Sequence, residues 1–150
     1  MTPLIELPDP CHAIGLMSGT SGDGIDAALV AITGTPPDIT AKLLHFQTTP
    51  IGDIPWVRDY LLLRTPLKVA QVHAAFGERL AEAAAQAMAH AQDLGINVDF
   101  IASHGQTVAH QPPDVGAAGH TLQLGDGDRI CQRTGLPVVS DFRQRDMAAG

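Results

Sequence analysis

Two apolar runs on either side of a glycine-rich loop constrain the first part of this chain most strongly. The first run covers residues 13–17 and the second covers residues 25–32. Short apolar runs separated by a loop of glycines and polar residues are typical of a β-hairpin. The sequence therefore predicts two antiparallel strands that are joined by this loop.

The loop of the hairpin has the residue types of a phosphate site. Glycine permits positive φ and close approach of a ligand, and backbone N–H groups with hydroxyls can hold phosphate oxygens. A carboxylate such as that of Asp23 can hold the accompanying Mg²⁺. A glycine-rich hairpin selected only for tightness is the alternative. The glycines, hydroxyls and carboxylates of the loop are Gly19, Thr20, Ser21, Gly22, Asp23, Gly24 and Asp26.

Charge and composition narrow the classes of partner. A chain of 150 residues with 45% hydrophobic content can bury one modest core, so we expect one domain or one lobe of a larger protein. The chain has 9 basic and 16 acidic residues, and the basic residues form no cluster. This argues against nucleic acid and against an anionic membrane surface as binding partners. No segment has the apolar length of a membrane span, and residues 1–10 do not resemble an export signal. We therefore expect a cytoplasmic protein with a small-molecule ligand.

The two cysteines match no metal or disulfide pattern. Cys11 and Cys131 lie far apart in the chain, so we expect free, buried thiols. His104 and His110 are not accompanied by further ligands at zinc-like spacing, and we therefore expect no metal on histidine or cysteine.

The remaining pattern predicts an α/β fold. A turn at 34–38 precedes a third strand at 41–48, which predicts a three-stranded antiparallel meander. A short helix at 56–63 and a long helix from Thr65 as N-cap to Gly95 follow. The apolar positions of the long helix are Val69, Val72, Phe76, Leu80, Ala83, Ala87, Ala91 and Leu94.

Strands then alternate with helical or loop segments. The pattern predicts strands at 98–103, 120–124 and 138–140, a loop at 112–119 and a short helix at 126–134. Three antiparallel strands followed by alternating helices and strands is the order of a ribonuclease-H-like or actin-like lobe.

Polar clusters follow two of these strands, where ligands gather in such sheets. His104 and Gln106 come directly after one strand and can orient hydrogen bonds toward a polyhydroxylated ligand. A histidine that caps the strand and bonds to backbone is the alternative. Asp141, Arg143 and Asp146 follow the last strand and suit sugar hydroxyls and an anionic ligand group. A solvated surface turn with local ion pairs is the alternative there.

Four blocks of the sequence, in order, are GLMSGTSGDGIDAALV at 15–30, SHGQTVAHQP at 103–112, TLQLGDG at 121–127 and TGLPVVSDFRQRDMAAG at 134–150. These blocks resemble the anhydro-N-acetylmuramic acid kinases of bacterial cell-wall recycling. The resemblance runs along essentially the whole chain, although this chain covers well under half of a typical family member. Gly22 departs from the bulkier apolar residue, usually Leu, that the family places there.

The resemblance implies an acetate-kinase/hsp70/actin-type fold of two lobes, with ATP and sugar in the cleft between them. Family members use ATP and Mg²⁺ to phosphorylate the oxygen that water frees from the 1,6-anhydro ring, giving N-acetylmuramic acid 6-phosphate. By this resemblance the ATP phosphate-binding residues are Gly19, Thr20, Ser21, Gly22, Asp23, Gly24, Ile25 and Asp26. The residues similar to the family's sugar-side cleft are His104, Gln106, Asp141, Arg143 and Asp146.

The resemblance also implies that residues 1–150 are an incomplete N-terminal lobe. The family's catalytic Asp lies in an Asp-Thr-Gly-Pro block that would follow Gly150, so we expect the isolated chain to be inactive. We also expect it to be marginally stable or to self-associate, for instance as a homodimer. Other hypotheses remain open: a non-catalytic sugar- or nucleotide-binding remnant, half of a split enzyme, or another sugar kinase of the same superfamily.

Overall fold

Strands and helices account for most of the chain that the computed structural model describes, which comprises residues 7–19, 23–52, 54, 64–114 and 119–149. The strands are β1 (Cys11–Ser18), β2 (Gly24–Thr35), β3 (Asp38–Pro50), β4 (Phe100–Ser103), β5 (Gln106–Gln111), β6 (His120–Leu124) and β7 (Val138–Val139). The helices are α1 (Pro66–Asp93), α2 (Gly127–Thr134) and α3 (Phe142–Ala149).

Five of the strands form one mixed sheet in the order β3-β2-β1-β4-β7. β1 pairs antiparallel with β2, and β2 pairs antiparallel with β3. On the other side, β4 is parallel to β1, and β7 is parallel to β4. The predicted hairpin and the predicted mixed α/β character are therefore confirmed.

The core lies between one face of this sheet and α1. Alternate residues of β1 and β2, such as Ile14, Leu16 and Leu29, point toward the helix and are buried. From the helix side, α1 contributes Phe76, Leu80 and a row of alanines to this core. The small alanine side chains let the helix approach the sheet closely. Every second residue of a strand faces the same side, so a short apolar alternation is enough to build this face.

Both ends of α1 follow from local signals. Thr65 is the N-cap, and its Oγ1 accepts a hydrogen bond from Lys68 N over 3.2 Å. Gly95 adopts φ +71° directly after the C-cap residue Leu94, as the sequence predicts. Leu94, the last apolar position of the predicted helix, is the C-cap residue and is 51% exposed. The predicted helix at 56–63 lies outside the described residues.

α1 also packs closely against the loop that leads into α2. A Cβ at Gly77 would lie 2.9 Å from the backbone nitrogen and oxygen of Asp126, so only glycine fits there. His73 Nδ1 accepts a hydrogen bond from Gly125 N over 3.1 Å, and Asp126 caps α2 through Asp128 N. The predicted helix at 126–134 is confirmed.

Three features after β4 differ from the prediction. β5 and β6 follow β4 without an intervening helix among the described residues, and they form a separate two-stranded sheet. The residues after Asp141 form α3, because arginine, glutamine, methionine and alanine favour a helix even in a charged segment. Cys131 is exposed rather than buried, since it lies on the outer face of α2, whereas Cys11 is buried as expected.

Candidate functional site

A groove of about 270 Å³ lies where β1 and β4 end. The two strands are parallel, so their carboxyl ends meet at the same edge of the sheet. α3 and the start of β5 close the other sides. The residues that line the groove are Met17, Ser18, Gly19, His104, Thr107, His110 and Arg143.

One ring nitrogen of His104 has no partner among the residues that the structure describes. Its Nδ1 lies 3.1 Å from Gly105 O, and a carbonyl oxygen can only accept, so Nδ1 carries the hydrogen of this bond. Its Nε2 is buried and has no hydrogen-bond partner in the described part of the chain. In the neutral ring, Nε2 then offers a lone pair that can accept a hydrogen bond from a ligand hydroxyl.

Arg143 brings positive charge to the same groove. It lies in the first turn of α3, and its Nη1 donates to Thr107 Oγ1 over 3.3 Å. A guanidinium has further N–H donors and suits an anionic ligand group. The ring of Phe142, the residue before Arg143, lies 5.8 Å from the ring of His104, so α3 packs against the histidine. The structure thus brings together two of the residues that the sequence predicts for the sugar side.

Gln106 lies beneath the groove rather than on its surface. It is 1% exposed, and its Oε1 accepts a hydrogen bond from Ser18 Oγ over 2.7 Å. The preceding Gly105 has φ +71°, and a Cβ there would lie 2.6 Å from Leu124 O. Glycine therefore lets the chain turn sharply and pass close to β6 before Gln106 begins β5.

The remaining predicted sugar-side residues lie away from the groove. Asp141 precedes α3 with φ 56° and borders a second groove of about 430 Å³ beside the start of α1. Asp146 is exposed on α3. Their assignment to the sugar stays a prediction.

The hairpin residues have several different environments. Gly19 lines the groove, and Ile25 is buried in the core. Asp26 Oδ1 accepts a hydrogen bond from Thr48 Oγ1 over 2.6 Å, and Gly24 packs so tightly that a Cβ would lie 2.6 Å from Thr48 Cγ2. Asp23 is exposed where the chain enters β2, whereas Thr20, Ser21 and Gly22 lie outside the described residues.

Sequence reasoning missed several polar residues at this edge. Ser18 and Ser103 each end a strand and are buried, and Ser103 Oγ has no hydrogen-bond partner among the described residues. Thr107 connects Arg143 to Gln123, whose Nε2 donates to the same hydroxyl over 3.3 Å. The available signal was a serine at the position where an apolar alternation should place another apolar residue.

Cys11 and Arg129, which lie away from the groove, have raised pKa values. Burial raises the pKa of the Cys11 thiol at the start of β1, and the nearby Asp99 carboxylate raises it further. The pKa of Arg129 on α2 is raised by its hydrogen bond to Glu78. In the described ranges, no three histidine, cysteine or acidic side chains come together as a metal site. No helix of those ranges combines the length and apolarity that a membrane crossing needs.

Fold and groove together define a mixed α/β lobe with a candidate ligand site at the carboxyl ends of parallel strands. The family model described as anhydro-N-acetylmuramic acid kinase matches residues 11–150. This chain belongs to the anhydro-N-acetylmuramic acid kinase family, which confirms the resemblance seen in its motifs.

Curated relatives named anhydro-N-acetylmuramic acid kinase are similar along nearly all of this chain. The relative from Synechococcus elongatus is 46% identical over 146 residues, which cover 93% of this chain and 37% of the relative. The relative from Gloeobacter violaceus is 45% identical over 150 residues, with 95% and 38% covered. The relative from Acaryochloris marina is 45% identical over 145 residues. The chain thus spans little more than a third of the length of these relatives.

Proposed function

We propose that this chain is the N-terminal part of an ATP-dependent kinase of peptidoglycan recycling. The kinase adds water to the 1,6-anhydro bridge of anhydro-N-acetylmuramic acid and phosphorylates the freed oxygen, giving N-acetylmuramic acid 6-phosphate and ADP. The observation that carries this proposal is the groove, because it holds Gly19 of the hairpin together with His104 and Arg143. The shared family, whose curated members bear the name of this kinase, supports the choice of substrate.

We assign the lobe to the ribonuclease-H-like, actin-like folds. The sheet order β3-β2-β1-β4-β7, with an antiparallel start and parallel continuation, supports this assignment. The nucleotide and the sugar would then meet between this lobe and a second one, and the kinase would work in the cytoplasm as a monomer or a homodimer. The sequence has no basic cluster, which argues against nucleic acid as a partner.

The hairpin has a donor set that fits a magnesium nucleotide. Its loop combines glycines with hydroxyl residues, and carboxylate oxygens such as those of Asp23 are the ligands that Mg²⁺ prefers. Gly24 is packed against Thr48, which fixes the point where the loop enters β2. When bound, ATP supplies the phosphoryl group and Mg²⁺ offsets its negative charge. We assign Gly19 to Asp26 to this role.

The groove suits the sugar. His104 Nε2 is a buried polar atom without a partner in the described part of the chain, so a sugar hydroxyl can donate to it. Arg143 supplies the positive charge that the acid group of muramic acid requires. Both side chains are held by neighbours, His104 through Gly105 O and Arg143 through Thr107, so they bind and orient the sugar without rearrangement.

The test is an assay of the complete kinase with ATP and the anhydro sugar. We expect phosphorylated N-acetylmuramic acid, and we expect no turnover by the 150-residue chain alone, because the catalytic base is assigned beyond Gly150. Phosphorylation of plain hexoses but not of the anhydro sugar would overturn the substrate assignment. Turnover by the isolated chain at the rate of the complete kinase would show that the base lies within this chain. A protein that binds sugar or nucleotide but transfers nothing would support the remnant hypothesis.

A further inference from the structure

We propose that Gln106 is a positioning residue, which ties the hairpin to the turn between β4 and β5 through its hydrogen bond with Ser18. The bond joins Ser18 Oγ to Gln106 Oε1 over 2.7 Å, across 88 positions of the chain. The consequence of this tie for catalysis rests on the proposed kinase function, whereas the tie itself is a property of the free protein.

The bond connects the two sides of the groove. Ser18 is the last residue of β1 and directly precedes Gly19, on the side assigned to the nucleotide. Gln106 begins β5 two residues after His104, on the side assigned to the sugar. A rigid bond between them therefore sets the distance between a phosphate-binding segment and a sugar-binding side chain.

The hydrogen bond between Ser18 and Gln106 lies just beyond the point where the backbone pairing of β1 with β4 ends. The parallel pairing of β1 with β4 ends at Leu16 and Ser103, and His104 N still donates to Leu16 O over 3.0 Å. Gly105 then turns the chain away with φ +71°, directly after the point where the parallel pairing of β1 with β4 ends. The hydrogen bond between Ser18 and Gln106 holds the two segments together at that point.

Both partners of this hydrogen bond are buried, so water does not readily replace either of them. Ser18 is 3% exposed and Gln106 is 1% exposed, so neither oxygen can readily exchange its partner for water. Replacing Gln106 takes the acceptor away from the buried Ser18 hydroxyl, and the loss of a buried hydrogen bond in this way costs more than the net gain of an ordinary one. An apolar pair would be easier to bury, and the polar pair therefore provides a defined geometry rather than simple packing.

Phosphoryl transfer depends on such geometry. Positioning and charge stabilisation supply most of its rate, and a misplacement of about 1 Å can cost roughly a hundredfold. A looser tie keeps all the side chains that contact each ligand but changes their positions relative to one another. The loss of Gln106 should therefore lower kcat far more than it raises KM for either substrate.

Hydrogen exchange in the free protein tests the tie directly. We expect Ser18→Ala and Gln106→Leu each to speed amide exchange about tenfold in residues 18–19, 23–24 and 103–106, because local opening of this edge becomes easier. Ser18→Thr keeps a hydroxyl and should restore slow exchange. Ile130→Val is the control, since it trims a fully buried side chain of α2 away from the groove and should leave this edge unchanged. Unchanged exchange in both Ser18→Ala and Gln106→Leu would overturn the tie.

Kinetics of the complete kinase test the positioning role. We expect each single variant to lower kcat about tenfold or more with KM within about twofold, and Ser18→Thr to recover most of kcat. Because the two residues act through one bond, the double variant should be little worse than either single one. A rise in KM for the sugar at constant kcat would show instead that Gln106 contacts the substrate. An inactive wild-type kinase would refute the proposed function, and hydrogen exchange would still decide the tie.

Discussion

The buried side chains of β1 and β4 are apolar where the sheet faces α1 and polar at the groove. The change takes place over only two residues of each strand. On β1, Ile14 and Leu16 face α1 and are followed on that face by Ser18. On β4, Ile101 is followed by Ser103 in the same way. Both serines are buried, so burial continues while the chemistry changes from apolar to polar. The buried side chains thus change from apolar to polar along the strand rather than between its two faces.

The end of β4 and the residue after it carry buried polar groups that have no partner among the described residues. A buried polar atom without a partner destabilises a fold, yet Ser103 Oγ and His104 Nε2 are both of this kind within the described ranges. The apolar core under α1 offsets that cost. Under the proposed function a ligand supplies the missing partner. Variants of the core and of the groove should therefore differ when stability and activity are measured together.

The largest effect is expected in the core. Phe76→Ala removes a fully buried ring from α1 and should lower the free energy of unfolding by about 3–5 kcal/mol. Phe46→Ala is the matched control, because Phe46 on β3 is 54% exposed and leaves no enclosed cavity. Urea unfolding of both variants measures the difference. Equal losses would mean that the outer face of β3 is covered in solution.

The next effect is expected in the groove and on activity alone. Arg143→Gln removes the guanidinium beside Thr107 and should lower kcat/KM of the complete kinase about tenfold to a hundredfold. Its free energy of unfolding should change by less than about 0.5 kcal/mol, because the side chain lines the groove and does not belong to the core. Arg145→Gln makes the same charge change on an exposed position of α3. If both variants lose activity equally, net charge rather than the groove is responsible.

A smaller effect tests the packing between α1 and the loop before α2. Gly77→Ala should destabilise the protein by about 1 kcal/mol, because overpacking against Asp126 outweighs the gain in helix propensity. Gly15→Ala on β1 is the control, since no atom lies within 4 Å of the added Cβ. Thermal unfolding of the two variants compares them. A stabilised Gly77→Ala variant would show that the loop moves aside at little cost.

The smallest effect concerns the two thiols. Alkylation of the native protein should modify the exposed Cys131 first, whereas Cys11 should react only on unfolding.

The raised pKa of Cys11 means that the folded state favours the neutral thiol. This contribution to stability is complete below the ordinary thiol pKa of 9.0 and is lost as the pH rises through the higher folded value. Cys11→Ala should therefore flatten the decline of stability in alkaline urea titrations, and an unchanged slope would contradict the assignment.

Sequence patterns predicted well the helix and the hairpin that build the apolar core. Thr65 and Gly95 delimit α1 through signals within a few residues, and the two apolar runs around the glycine-rich loop predicted the hairpin. The identities of His104 and Arg143 as candidate residues also came from the sequence, because polar residues follow apolar strands there. The prediction was poorer for β5 and α3, whose short and mixed segments carry weak periodicity.

Local chemistry in the sequence determined the caps, the turns, the strands of the hairpin and the family of this chain. Tertiary structure alone decided that Gln106 turns inward to Ser18, that α3 carries Arg143 to the groove, and that Asp141 and Asp146 stay outside it. The physical reason is range. A cap or an alternation acts over a few neighbouring residues, whereas a bond across 88 positions depends on how strands, glycine turns and helices pack around it.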